Sequence, residues 1–224
     1  GENVGGPGWV VPLCGIDWKP TRPPVVLEEW PLDPRRPEAW TTIATWENKG
    51  KNIAFGGETY VWSKHVNFVK FLDVPKRTGE KFLMAMLPPD AAVERQVREA
   101  GWDLTDPRPV SASMESYAEF IRSSRGEFTV AKDIYVRPNS GWFSDRSVCY
   151  LASGRPVVTM KTGFSRFYPV GEGLFEYATM EEAAAAIAAV RANYDRHARA
   201  AREIAAEYFG SGPVLRALMS AAGL

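Results

Sequence analysis

Residues 39–224 predict an α/β fold, a doubly wound parallel sheet with long C-terminal helices, on three observations. Short β-branched and apolar runs alternate with segments whose apolar residues recur at helical spacing. Helix starts and stops stand between them, among them Asp90 and Gly101 around one helix and Thr179-x-x-Glu182 as a capping box for another. Finally, Ser140–Ser165 (SGWFSDRSVCYLASGRPVVTMKTGFS) runs from a glycine- and serine-bearing turn into a helix. A Gly-Arg-Pro break, a short apolar strand and a second turn follow. In such a sheet, ligands bind in the crevice beyond the carboxyl ends of the strands.

The elements follow in order. Residues 1–38 are rich in glycine and proline and read as an interdomain linker segment, with only Pro24–Trp30 (PVVLEEW) able to extend. The opening Gly1-Glu2-Asn3-Val4-Gly5-Gly6 is expected to be a cut through a longer chain. Thr41–Trp46 is β-branched and aromatic, hence a strand. His65–Leu72 carries Val66, Phe68, Val69 and Leu72 at helical spacing. Lys81–Leu87 is a buried strand stopped by Pro88-Pro89, and Asp90 caps a helix running to Ala100. Trp102–Leu104 is a brief strand, Glu115–Ser123 a helix and Glu127–Ala131 a strand. Val157 and Val158 lie in the next strand, and Gly173–Tyr177 is the last. One long helix then carries Ile187, Val190, Tyr194, Ala198, Ala201, Ala205 and Tyr208 on one face, and Val214–Met219 forms an amphipathic turn.

Composition narrows the function classes. With 27 basic and 27 acidic residues among 224, no net field draws the chain to nucleic acid or a membrane surface. No apolar run approaches the roughly 20 residues of a membrane span. The two cysteines form no framework, and Cys149 reads as a small buried hydrophobe. A cytoplasmic location is expected. The absence of G-x-G-x-x-G after a strand, and of G-x-x-x-x-G-K-[ST] anywhere, argues against dinucleotide and P-loop chemistry. His65 and His197 stand alone, so neither a His-ligated metal nor a Ser-His triad is expected, and no Asp-x-Asp motif offers itself to a metal.

The candidate site residues cluster at strand ends. A helix opening at Ser144 presents unpaired N–H groups and a positive dipole end to an anion, with Ser144 as N-cap and the planar fork of Arg146 in reach of a phosphate. Asp145 would contact sugar or ribose hydroxyls, or simply complement the helix dipole. Lys132, at the end of its strand, would neutralise a phosphate or leave the sheet for water. Lys49, Lys51 and Lys64 are further phosphate candidates, each also readable as part of a charged solvent loop. Trp40 and Trp102 are expected in the core rather than on carbohydrate. Gly163, Phe164 and Ser165 reach the same crevice on the second turn.

Ser140–Ala189 resembles the carboxyl-terminal half of a GT-B glycosyltransferase. The resemblance rests on Ser140-Gly141, on Ala152-Ser-Gly-Arg-Pro-Val-Val158, on Gly163-Phe164-Ser165, on Gly171-Glu-Gly-Leu-Phe175 and on the helix start at Thr179. It is specific from about residue 127 onward. It implies a Rossmann-like donor domain over residues 39–224, with the diphosphate near Ser144 and Arg146 and the donor sugar near Ser140, Gly141 and Gly163–Ser165. Many retaining members carry two glutamates eight positions apart; here Ser140 or Gly141 and Val148 or Cys149 stand instead.

The implied activity is transfer of a sugar from a nucleoside-diphosphate sugar, as co-substrate, to an acceptor held by an amino-terminal domain outside this chain. No cofactor or metal is called for, and no catalytic residue is identified. The alternative is a catalytically silent α/β module binding a nucleotide or sugar phosphate.

Overall fold

The computed structural model describes all 224 residues. Its strands are β1 (Ala39–Ile43), β2 (Ile53–Phe55), β3 (Glu58–Tyr60), β4 (Lys81–Ala85), β5 (Trp102–Thr105), β6 (Gly126–Thr129), β7 (Val157–Met160) and β8 (Leu174–Tyr177). Six of them form one parallel sheet in the order β5-β4-β1-β6-β7-β8, while β2 and β3 form a separate antiparallel hairpin. Counting the sheet strands alone, the order is 3-2-1-4-5-6, and the direction of winding reverses between β1 and β6. A doubly wound sheet opens its ligand crevice at that reversal.

Helices α1 (His65–Phe71), α2 (Val74–Thr78), α3 (Ala91–Glu99), α4 (Pro107–Val110), α5 (Met114–Arg122), α6 (Asp133–Val136) and α7 (Asp145–Ala152) connect the strands, and α8 (Met180–Ala192), α9 (Tyr194–Ile204) and α10 (Ser211–Ala221) end the chain. Each sheet face has its own core. Phe68, Phe71, Val97, Ile187 and Val190 of α1, α3 and α8 pack with Phe82, Phe128, Val158 and Phe175. On the other face, Ile121, Val148, Leu151, Ala201 and Ile204 of α5, α7 and α9 pack with Val157 and Leu174. Neighbours Val157 and Val158, like Leu174 and Phe175, go to opposite cores, as the two-residue period of a strand requires. Trp40 and Trp102 are core residues, and Trp102 donates its indole N–H to Leu72 O at 2.8 Å.

The capping signals are realised. Asp90 accepts from the N–H groups of Ala92 and Val93, and Thr179 and Glu182 cap each other's backbone. The structure differs from expectation in several places. The long final helix is two: Asn193 leaves helical geometry at φ −148°, ψ 66° and its side chain caps α9. The side chain of a short amide competes with the backbone for N–H groups, which is why asparagine breaks a helix and restarts one. Ser144 makes no side-chain cap bond, so α7 begins uncapped by its own N-cap. Between the strand expected at Thr41–Trp46 and the helix expected at His65, where no element was expected, residues 53–60 form the β2–β3 hairpin. Cys149 is half-buried rather than buried, and the burial it has pushes its thiol up to about 12.

Residues 1–38 lie along this same domain. Val25 donates to Phe209 O at 2.8 Å and accepts from Ser211 N at 2.9 Å, and the Trp30 side chain is buried. Within Pro24–Trp30, Leu27–Glu29 winds into a 3-10 turn instead of extending.

Candidate functional site

The carboxyl ends of β1 and β6 gather a polar cluster under the crevice. Thr129, the last residue of β6, holds its hydroxyl where two cations meet: Lys64 Nζ donates to Oγ1 at 3.1 Å and Arg146 Nη2 at 3.0 Å. Lys64 immediately precedes α1, and Asn67 within α1 ties that helix to β6 by donating to Ala131 O at 2.9 Å. Lys64 is 7% exposed and has no carboxylate partner. Burial, reinforced by the neighbouring Arg146 charge, holds its ammonium well below the ordinary lysine range.

Arg146 is occupied. Its Nε donates to Glu127 Oε1 at 2.5 Å, Nη1 to Ile43 O at 2.7 Å and Nη2 to Thr129. Glu127 is fully buried in β6, and its other oxygen accepts from Ser147 Oγ at 2.5 Å. Burial works against the Arg146 charge, but Glu127, with Tyr117 and Tyr150 beside it, more than offsets this, and the Arg146 pKa is raised. The fork expected on a phosphate is thus turned into the sheet, where it joins β1, β6 and α7.

Lys132 stands at the rim as the residue before α6. Its Nζ lies 4.4 Å from the centroid of the Trp62 ring and 5.8 Å from that of Tyr135. Burial and the charge of Lys51 lower its pKa. Tyr135 in turn stacks on Trp142, with centroids 4.6 Å apart and planes 14° from parallel. A basic floor is therefore bounded by an aromatic wall. Lys49 and Lys51 are exposed loop residues, while Lys64 is not.

The two glycine loops are stitched together beside this wall. Gly141 N donates to Thr162 O at 2.7 Å, and Thr162 Oγ1 donates to Trp142 O at 2.6 Å. Ser140 Oγ spends its hydrogen on Tyr135 O at 3.0 Å. Gly163 has φ +91°, and a Cβ there would lie 2.3 Å from Asn139 Oδ1. Lys132, Ser140–Arg146 and Gly163–Ser165 therefore do converge. Their side chains have different uses: Asp145 is exposed and Ser165 half-buried, but Phe164 is fully buried, with its ring 5.1 Å from that of Phe143.

Gly141 matters for a second reason. At φ +68°, its missing Cβ would lie 2.8 Å from Asn3 N and 3.1 Å from Asn3 Cβ. The amino-terminal segment occupies that space: Asn3 N donates to Ser140 O at 3.0 Å and Asn3 Nδ2 to Asn139 O at 2.7 Å. No glutamate fits where Gly141 stands.

Sequence reasoning missed Thr129 and Glu127, the hub and the counter-ion. A signal existed, since a carboxylate inside the run Glu127–Ala131 must find a cation if the strand is buried on both faces. The aromatic partners Trp62 and Tyr135 had no comparable signal.

No family model and no curated protein sequence matches the chain. Solved structures do. AviGT4, a glycosyltransferase involved in avilamycin A biosynthesis, superposes with TM-score 0.61 at 13% identity over 92% of this chain and 57% of its own. The C-terminal domain of a group 1 family glycosyltransferase, LpcC from Francisella tularensis, gives 0.56 at 13% identity over 83% of this chain and 98% of that domain. A point mutant of S. aureus TarM, in complex with fondaparinux, alpha-GlcNAc-glycerol and UDP, gives 0.60 at 14% identity over 93% of this chain and 40% of its own. The chain thus spans 57% of AviGT4 and 40% of TarM. Its fold is that of the carboxyl-terminal domain of GT-B glycosyltransferases.

Proposed function

We propose that this chain is the donor-binding half of a glycosyltransferase, holding the diphosphate of a nucleoside-diphosphate sugar above Lys64. The observation that carries the reading is the buried ammonium of Lys64, placed at the β1–β6 reversal with a neutral hydroxyl as its one hydrogen-bond partner. A buried charge without a counter-ion is costly, and an anion entering the crevice supplies one. Lys132 adds a second cation at the rim, and the uncapped start of α7 adds backbone N–H donors. Held this way, the leaving diphosphate is stabilised as negative charge develops on it. Arg146 acts here through its neighbours, fixing Thr129 beneath Lys64. The acceptor would be held by an amino-terminal domain, and transfer would need both halves.

Calorimetric titration of UDP into the protein and its Lys64→Met variant tests the reading. Binding by the parent and its loss in the variant supports it; equal binding by both removes Lys64 and with it the site.

The silent binding module stays in view because of Gly141. With no room for a carboxylate there, the crevice lacks a group that many retaining glycosyltransferases present to the donor. Sugar transfer by the protein joined to its amino-terminal half, given donor and candidate acceptors, would exclude the silent module; tight UDP binding without turnover would favour it.

A further inference from the structure

At the opposite edge of the sheet, where the strands begin, lies a cavity of about 580 Å³ walled by Asp33–Arg36, Ser153–Arg155 and one side of α9. Five arginines and three carboxylates line it. Arg35 and Arg36 are neutralised by Asp33 and Asp195 at 2.5 and 2.6 Å. The other three arginines are not paired with carboxylates. Arg155, 1% exposed, donates to Arg122 O at 2.6 Å, to Tyr194 OH at 2.7 Å, to Arg35 O at 3.1 Å and to Asp33 O at 3.5 Å. Arg202 donates to the carbonyls of Trp30, Ala152 and Leu27. Arg199 is exposed and enters no ion pair.

The bonds to Arg122 O and Ala152 O close the carboxyl ends of α5 and α7, which explains where Arg155 and Arg202 sit. They leave the charge uncompensated. Two buried polar atoms of the wall, Arg155 Nε and Ser153 Oγ, also have no hydrogen-bond partner. Guanidinium groups gathered without carboxylate partners suit a doubly charged oxyanion: Arg199 presents an open planar fork, while Arg155 and Arg202, their Nη atoms held by neighbouring oxygens, add fixed positive charge. The volume falls within the range of small-molecule sites and exceeds what one phosphate needs. The carboxylate of Glu203 on the same wall can accept from hydroxyl groups.

We propose that this cavity is a second ligand site, binding a phosphorylated sugar with its phosphate between Arg199 and Arg202. It is independent of the donor reading, since its residues lie at the other end of the strands from Lys64. Occupancy would fasten Asp33–Arg36, just ahead of β1, to α9.

The test titrates glucose 6-phosphate, inorganic phosphate and glucose separately, at constant ionic strength, into the 224-residue protein and its Lys64→Met and Arg199→Glu variants. Arg199 is exposed, and an unchanged thermal midpoint confirms that its variant folds. The proposal expects glucose 6-phosphate to bind the parent and Lys64→Met alike. It expects Arg199→Glu to weaken that binding at least about tenfold, the scale of one charge-assisted contact. Amide exchange over residues 33–36 should slow on binding. Absence of binding at millimolar ligand, or binding indifferent to Arg199→Glu, overturns the site. Inorganic phosphate binding as tightly as glucose 6-phosphate overturns the sugar-phosphate assignment.

Discussion

Arg146 Nε lies 2.5 Å from Glu127 Oε1, inside a sheet where Glu127 has no exposure to solvent. The pair joins the start of α7 to the middle strands, and Glu127 is the carboxylate partner of Arg146. Glu127→Gln is expected to lower stability by about 3–5 kcal/mol, the cost of leaving a buried guanidinium unpaired. Denaturant unfolding measures it, and a loss below about 1 kcal/mol would mean that solvent reaches Arg146.

Lys64→Met should trade function for stability. Removing a buried ammonium that lacks a counter-ion is expected to stabilise the fold by about 1–2 kcal/mol while UDP binding is lost. The linkage has a definite sign. The folded-state pKa of Lys64 is depressed, so between that value and the unfolded value near 10.5 the unfolded chain binds more protons. The parent should therefore gain stability as pH rises through this window, and Lys64→Met should flatten the slope. Unfolding curves across alkaline pH check both.

Diphosphate binding should take up a proton. An anion beside Lys64 raises its pKa from the depressed value, so affinity falls as pH climbs between the free and bound values, by up to about tenfold per unit. Calorimetry in two buffers of different ionisation enthalpy should return different heats, and the difference should vanish in Lys64→Met.

Gly141→Glu is not expected to restore a donor contact. The substitution forces a side chain onto a backbone at φ +68° and against Asn3, costing about 1–2 kcal/mol for the left-handed conformation before the collision is counted. Faster amide exchange at residues 1–6, from displacement of that segment, is the expected signature. Unchanged exchange with improved UDP binding would mean that the segment yields readily.

Along α10 only Val214 is buried, and Leu215, Leu218 and Met219 are exposed by 44%, 46% and 51%. In the absence of a covering partner, the protein should self-associate at high concentration, and Leu218→Glu should shift light scattering toward the monomer.

The sheet was legible because most of its strands carry an apolar or β-branched run and two of its flanking helices, α3 and α8, carry their own caps. The site was half legible. Small residues at Ser140, Gly141 and Gly163 mark backbone turns, which sequence encodes locally. The direction of the Arg146 side chain depends on Glu127, 19 positions away, and on Ile43, 103 positions away, and no local pattern carries that information. The same distance hid the meeting of Lys64 with Thr129, a separation of 65 residues. The break at Asn193 was missed because apolar spacing continues across it, while the amide's competition for backbone donors leaves no trace in periodicity.

On the proposed reading, in which an amino-terminal domain precedes this one, the bonds between Val25 and the turn at Phe209–Ser211 bear on how the two would move. With residue 25 fastened to the far end of the chain and Trp30 sunk beneath it, Leu32–Glu38 cannot serve as a swivel. Rocking one half against the other would have to flex the chain ahead of Asn3, which is itself fastened to Ser140 and Asn139. The stretch from Pro7 to Pro20, largely solvent-facing, is a loop pinned to this domain at both ends. A cross-link across the Val25–Ser211 contact, or a stiffened Pro7–Pro20, should then leave opening and closing untouched.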